Sequence, residues 1–134
     1  MAVEYRSISP RDYEAVRQFL SEMGWSERVR DPAKFQQMME ATSRTVVALE
    51  GRRIIGFVRA ICDEISNGYI SLMAVAPDKR RHGVGREMVH RLLGDDHDSI
   101  TWILRGARGS SGFWRKMGFT PSTIAMEKVR QEER

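Results

Sequence analysis

The stretch VAPDKRRHGVGREMVHRLL, residues 75–93, joins the end of an apolar run to the start of an amphipathic one. Pro77 closes the preceding run, YISLMAVAP, because proline has no N–H to give a strand ladder. Val84, Met88 and Leu92 then recur at i, i+4 and i+8, with Val89 and Leu93 beside them, which predicts a helix with one apolar face. Between strand and helix stand Lys79, Arg80, Arg81 and Arg86 with the glycines Gly83 and Gly85. A solvated basic turn explains this composition, and so does an anion cradle. If the glycines open the helix, its first N–H groups have no intrahelical partners and sit at the positive end of the helix dipole. Glycine lets a ligand approach the main chain closely, and the arginines attract negative charge, a combination suited to pyrophosphate.

Upstream, VEYRSI alternates as a strand. A helix follows with Ser9 as N-cap, Pro10 in the first position, Tyr13, Val16, Leu20 and Met23 on one face, and Gly24 at its end. DPAKFQQMMEAT repeats the device with Asp31 capping and Pro32 first. SRTVVALE and RRIIGFVRAICD flank Glu50-Gly51 as an antiparallel hairpin, and Asn67-Gly68 is a second hairpin signal before YISLMAVAP. Gly94, Asp95 and Asp96 stop the central helix. SITWILR reads as a strand, SSGFWRKMGF as a short helix ending near Gly118, and STIAMEKV as a last strand.

The expectation is an α+β fold of order β-α-α-β-β-β-α-β-α-β. About six strands form a mixed, mostly antiparallel sheet flanked by about four helices. The crossover through the central helix is long enough to make its two strands parallel. No repeat or linker divides the 134 residues, so residues 1–134 are read as one domain.

Composition narrows the function classes. No apolar run approaches the roughly 20 residues that cross a bilayer, and MAVEYRSISP has no basic segment followed by an apolar one. The expected location is cytoplasmic, with no membrane partner. Cys62 is the only cysteine, and His82, His90 and His97 are scattered, so no metal site is expected. The net charge of +4 is compatible with a polyanion or a small anion. Nucleic acid is disfavoured, because the cations cluster in one short loop without interleaved aromatics.

Phosphate motifs can be tried on the loop in turn. The nucleotide P-loop G-x-x-x-x-G-K-[ST] is absent, and the dinucleotide fingerprint fails at Met88, which stands where its third glycine belongs. R-x-x-G-x-G fits, as Arg80-Arg81-His82-Gly83-Val84-Gly85. With the strand before it, the helix after it and GFWRKMGF downstream, the chain resembles the GCN5-related N-acetyltransferase (GNAT) superfamily over nearly its whole length.

That resemblance implies acetyl-CoA as co-substrate, a primary amine as acceptor, and direct transfer in a ternary complex. It implies a cleft where the fourth strand bends away from the fifth. Backbone groups of Met73, Ala74 and Val75 would hold the pantetheine arm. The backbone from Arg81 through His82, Gly83, Val84 and Gly85 to Arg86 would hold the pyrophosphate. Arg80 would either approach a phosphate or order the loop, and His82 would face solvent. Two positions depart from the family pattern. Trp114 stands where many members carry a tyrosine able to protonate the leaving thiolate, and an indole N–H cannot serve as that acid. Ala107 stands where many carry an asparagine that contacts pantetheine. These departures leave a second reading open, an acyl-CoA-binding sensor or interaction domain that has lost the reaction. The family also makes a homodimer an option, through an exposed C-terminal strand.

No catalytic residue follows from the sequence. The candidates are Asp63 and Glu64 at the turn before the fourth strand, Tyr69 on it, and Ser110 before the last helix, each with an ordinary structural role as its alternative. Asp63 and Glu64 would be turn residues, Tyr69 packing and Ser110 a cap. Trp25 either walls an acceptor pocket or seals the core beside Met23.

Overall fold

The caps read from the sequence set the first third of the fold. In the computed structural model, which describes residues 2–95 and 97–131, β1 (Glu4–Arg6) leads through a helical turn at Pro10–Asp12 into α1 (Tyr13–Leu20). Ser9 N–H donates to Asp12 Oδ2 at 2.7 Å, and Arg6 donates to the same oxygen at 2.8 Å. α1 runs into a loosened turn at Ser21–Trp25, where Gly24 takes φ +102°. α2 (Pro32–Glu40) starts under Asp31, whose Oδ1 accepts from the N–H of Ala33 at 2.9 Å and of Lys34 at 3.2 Å.

The remaining strands are β2 (Arg44–Glu50), β3 (Arg53–Cys62), β4 (Asn67–Val75) and β5 (Thr101–Leu104). They lie in sequence order, β1-β2-β3-β4-β5. The first three junctions are antiparallel. The β4–β5 junction is parallel, with α3 (Val84–Leu93) as its crossover. Gly94 ends α3 with φ +75°, while Asp96 lies outside the described residues. α4 (Ser111–Lys116) closes at Gly118, φ +95°, with Phe119 N–H donating back to Trp114 O at 3.0 Å. This is the expected α+β fold with five strands.

Ile55 to Ala60 are buried without alternation, so helices cover both faces of β3. α3 packs on the face of Gly56, where a Cβ would come within 2.9 Å of the Met88 side chain. α1 and α2 cover the other face with Val16, Leu20 and Phe35, all buried in the same cluster as Phe57 and Met88.

Two expectations are corrected. The β3–β4 turn is made by Asp63 to Ser66, and Asn67-Gly68 already belongs to β4. Asp63 Oδ1 accepts from the N–H groups of Ile65, Ser66 and Asn67, and its carboxylate organises the turn in place of an Asn-Gly pair. Gly68 is needed for another reason: a Cβ there would fall 2.3 Å from the Trp102 ring. The stretch 122–129 forms no strand. Ile124 is 88% and Met126 96% exposed, so the alternating side chains meet no packing surface that would hold a sixth strand.

Candidate active-site cleft

β4 and β5 pair only from Asn67↔Thr101 to Ile70↔Leu104, after which β4 runs on through Ser71–Val75 with no strand on that side. The separation coincides with a bulge. β3 pairs Phe57 with Ala74 and Arg59 with Ser71, so Leu72 and Met73 together face Val58. Leu72 is buried and takes φ +56°, a left-handed conformation that a branched residue holds only under strong packing.

The open half of β4 is one wall of a cleft of about 510 Å³. Arg80, Arg81 and Gly85 line its α3 end. The segment after β5 lines the opposite wall with Ala107, Gly109 and Ser110, and α4 adds Phe113 and Trp114. Trp25, from the loosened turn after α1, lines the cleft as well. Trp25 is therefore partly a pocket wall, with the Arg28 guanidinium 5.6 Å from its ring centroid.

The glycines of the loop have different tasks. Gly83 caps α3 with φ +83°, and no atom lies within 4 Å of where its Cβ would be. Gly85 packs tightly: a Cβ would sit 3.0 Å from Met73 Cε and 3.3 Å from the Phe113 ring. Arg81 is also left-handed, φ +66°. The helix begins its hydrogen bonding with Glu87 N–H to Gly83 O at 3.0 Å, so the N–H groups of Val84, Gly85 and Arg86 precede the ladder and have no partner in it. Val84 is buried, while Arg81, His82 and Arg86 are exposed around the helix start. Arg80 Nε donates to Val75 O at 3.2 Å, tying the loop to the end of β4.

The charged residues of the lining are all cations. Lys79, Arg105 and Arg108 join Arg80 and Arg81, and among the described residues no carboxylate lines the cleft. Lys79 is partnered by Glu50 at 2.9 Å and Arg105 by Glu127 at 3.0 Å; Glu50 is held below its usual pKa chiefly by the Lys79 hydrogen bond.

The catalytic candidates from the sequence fall in different places. Asp63 and Glu64 do not line the cleft; they lie in the turn before β4, whose first residue, Asn67, is itself four residues or roughly 13 Å of strand before Ser71. Asp63 also accepts from Ser66 Oγ at 2.6 Å, and this network holds its carboxyl far below the usual carboxylate range. Glu64 is engaged by Arg44 at 2.6 Å, which lowers its pKa too. Tyr69 pairs with Ile61 and Ile103 in the closed half of β4. Ser110 is in the cleft, with its hydroxyl donating to Ala107 O at 2.6 Å. Trp114 is buried, with edge contacts to Phe113 and Phe119 at centroid distances of 5.0 and 5.3 Å.

Sequence reading missed Lys79, Arg105 and Arg108 as lining residues, and it missed Arg59. A charge inside the apolar run IIGFVRAI was the available signal for Arg59, which is 5% exposed. Among the described residues no helix is long and apolar enough to cross a membrane.

Comparison with known proteins agrees with this geometry. A GNAT-family protein from Xanthomonas campestris pv. campestris superposes with a TM-score of 0.82 at 19% identity, over 97% of this chain and 94% of that one. A predicted acetyltransferase from Clostridium acetobutylicum, solved with acetyl-CoA, superposes at 0.77 with 16% identity, over 99% of each chain. An aminoglycoside acetyltransferase from an uncultured soil metagenomic sample gives 0.72 at 18% identity, over 98% of this chain and all of that one. No curated protein matches the sequence. The family profile described as the acetyltransferase (GNAT) domain matches residues 10–131, and the chain belongs to that family.

Proposed function

We propose that the protein is an acetyl-CoA-dependent N-acetyltransferase that passes an acetyl group directly to a primary amine in a ternary complex. The observation that carries this reading is the half-open β4, whose free edge ends beside an unpaired helix start in a cation-lined cleft. Acetyl-CoA fits the residues present. The open space over Gly83 and the N–H groups of Val84, Gly85 and Arg86 suit a pyrophosphate, and the free edge through Met73, Ala74 and Val75 suits the amide-bearing pantetheine arm.

When bound, acetyl-CoA supplies a thioester whose thiolate is a good leaving group. The chain's own contribution is alignment and field. Positioning two reactants in one cleft supplies much of the acceleration. The attacking amine must be neutral, and a site lined by guanidinium and ammonium groups disfavours its protonated form. With no carboxylate lining the cleft among the described residues, the amine proton leaves through water. The Ser110 proton is committed to Ala107 O, which leaves its oxygen free to accept, and Trp114 lines the same wall of the cleft.

The sensor reading keeps a specific observation in its favour: Trp114 and Ala107 both stand in the cleft where the resemblance expects Tyr and Asn. Calorimetric titration with acetyl-CoA and with CoA, followed by detection of CoA released with an amine pool, separates the two. Saturable binding with amine-dependent release is the expected result. Binding without release favours the sensor, and no binding overturns both.

A further inference from the structure

Among the described residues Arg59 is the buried charge, 5% exposed in the middle of β3. Its Nε donates to Thr42 Oγ1 at 2.9 Å, and among the described residues no carboxylate pairs with it. Buried arginines are rarely left without an anion. Nor is the guanidinium sealed in. The one fully enclosed side-chain nitrogen or oxygen without a partner, among the described residues, is Trp102 Nε1, so the unpartnered Nη groups of Arg59 still touch solvent.

Its surroundings tie it to the cleft. Arg59 is directly opposite Ser71, and residues opposed across an antiparallel pair project from the same face of the sheet. Arg59 is not itself a lining residue, but Ser71 and Trp25 are, and Ser71 lies where β4 parts from β5, away from the α3 loop. Arg28, stacked over Trp25, is near enough to repel the Arg59 charge, and Tyr69 stands two residues before Ser71, on the same face of β4. Burial first, and Arg28 second, depress the Arg59 pKa, so the site holds a cation in a setting that opposes it. An arriving carboxylate relieves that opposition.

Resting on the acetyltransferase reading above, we infer that the acceptor is an amine carrying its own carboxylate, such as an α-amino acid, and that Arg59 recognises this carboxylate from the Ser71 end of the cleft. The absence of lining carboxylates argues in the same direction, since a polycationic acceptor would meet only like charge. Arg59 is a specificity residue in this account, and its guanidinium fork matches a carboxylate bidentately.

The test uses the purified full chain, acetyl-CoA and two probe sets: the proteinogenic L-amino acids and the corresponding α-carboxamides. The amides have the less basic amines, which biases the comparison against the inference. The expected result is a kcat/KM about 10- to 100-fold higher for the acids, the range of a hydrogen bond to a charged group. Arg59→Gln should bring the two sets within about threefold through KM, Arg59→Lys should retain part of the preference, and acetyl-CoA affinity should stay within about twofold. Equal or better use of the amides by the unmodified protein overturns the inference even if Arg59→Gln fails to fold. So does a preference that survives in Arg59→Gln, or acetyl-CoA binding with release of CoA by neither set. Absence of acetyl-CoA binding instead overturns the acetyltransferase reading itself.

Discussion

The two halves of β4 are built from one continuous strand and come to opposite ends. From Gly68 to Ile70 the strand is paired on both sides, by β3 and β5, and it is fitted so closely that Gly68 lies against the Trp102 ring. From Ser71 to Val75 it keeps only β3, bulges at Leu72 and leaves its other edge to a cleft. The closed half satisfies its backbone internally. The open half leaves N–H and C=O groups for an outside partner, which is what an extended, amide-bearing ligand requires. Stability and binding are thus divided along one strand, and substitutions in the two halves should separate them.

The largest effect is expected at the open half. Gly83→Glu places a carboxylate in the empty space over the α3 start, facing the position of a pyrophosphate. Acetyl-CoA affinity by calorimetry should fall by about 100-fold or more, from obstruction and like-charge repulsion. Since φ at Gly83 is +83°, the variant should also lose about 1 kcal/mol of stability and remain folded by circular dichroism. Normal binding would remove the loop from the site. The converse substitution is Gly68→Ala. Its Cβ would collide with the Trp102 ring at 2.3 Å, and re-seating that ring should cost about 2 kcal/mol in urea unfolding. The folded fraction should bind acetyl-CoA unchanged; a matching loss of affinity would show that the halves are coupled.

Trp114→Tyr sharpens the comparison from across the cleft. It gives the site a phenol, an acid that the indole cannot replace. If the leaving thiolate needs a proton, kcat should rise about tenfold and acquire an alkaline limb in its pH profile. An unchanged kcat would show that positioning suffices.

What the sequence disclosed, and what it hid, follows the range of the interactions involved. Asp31 before Pro32, and Gly83 before the Val84–Met88–Leu92 stripe, act within a helical turn, so caps and motifs were legible. The parallel crossover was legible as well, because its length alone forbids a hairpin. Gly68 was misread as a turn residue because the ring that requires glycine there is thirty-four positions away, on β5. The stretch 122–129 has strand composition, but composition does not supply an apolar surface for Ile124 and Met126. Arg59 was hidden for the opposite reason. Its burial depends on Thr42 at the end of α2 and on Ser71 across the sheet, which no local pattern connects.

The smallest predicted effect concerns how the closed half is entered. Asp63 accepts from three backbone N–H groups and the Ser66 hydroxyl, and those bonds hold its carboxyl below the ordinary range. A carboxylate with a depressed folded pKa contributes stability that is present above the unfolded value, near 4, and fades as the pH falls below it. Asp63→Asn should therefore lower Tm by about 2–3 °C at pH 7 and by less as the medium is acidified below about pH 4, the two melting curves converging. Acetyl-CoA affinity and kcat should stay within about twofold, because the turn lies at the far end of β4 from the cleft. A large loss of kcat with unchanged Tm would reverse the assignment, giving Asp63 a part in the chemistry and bringing the closed end of β4 into the site.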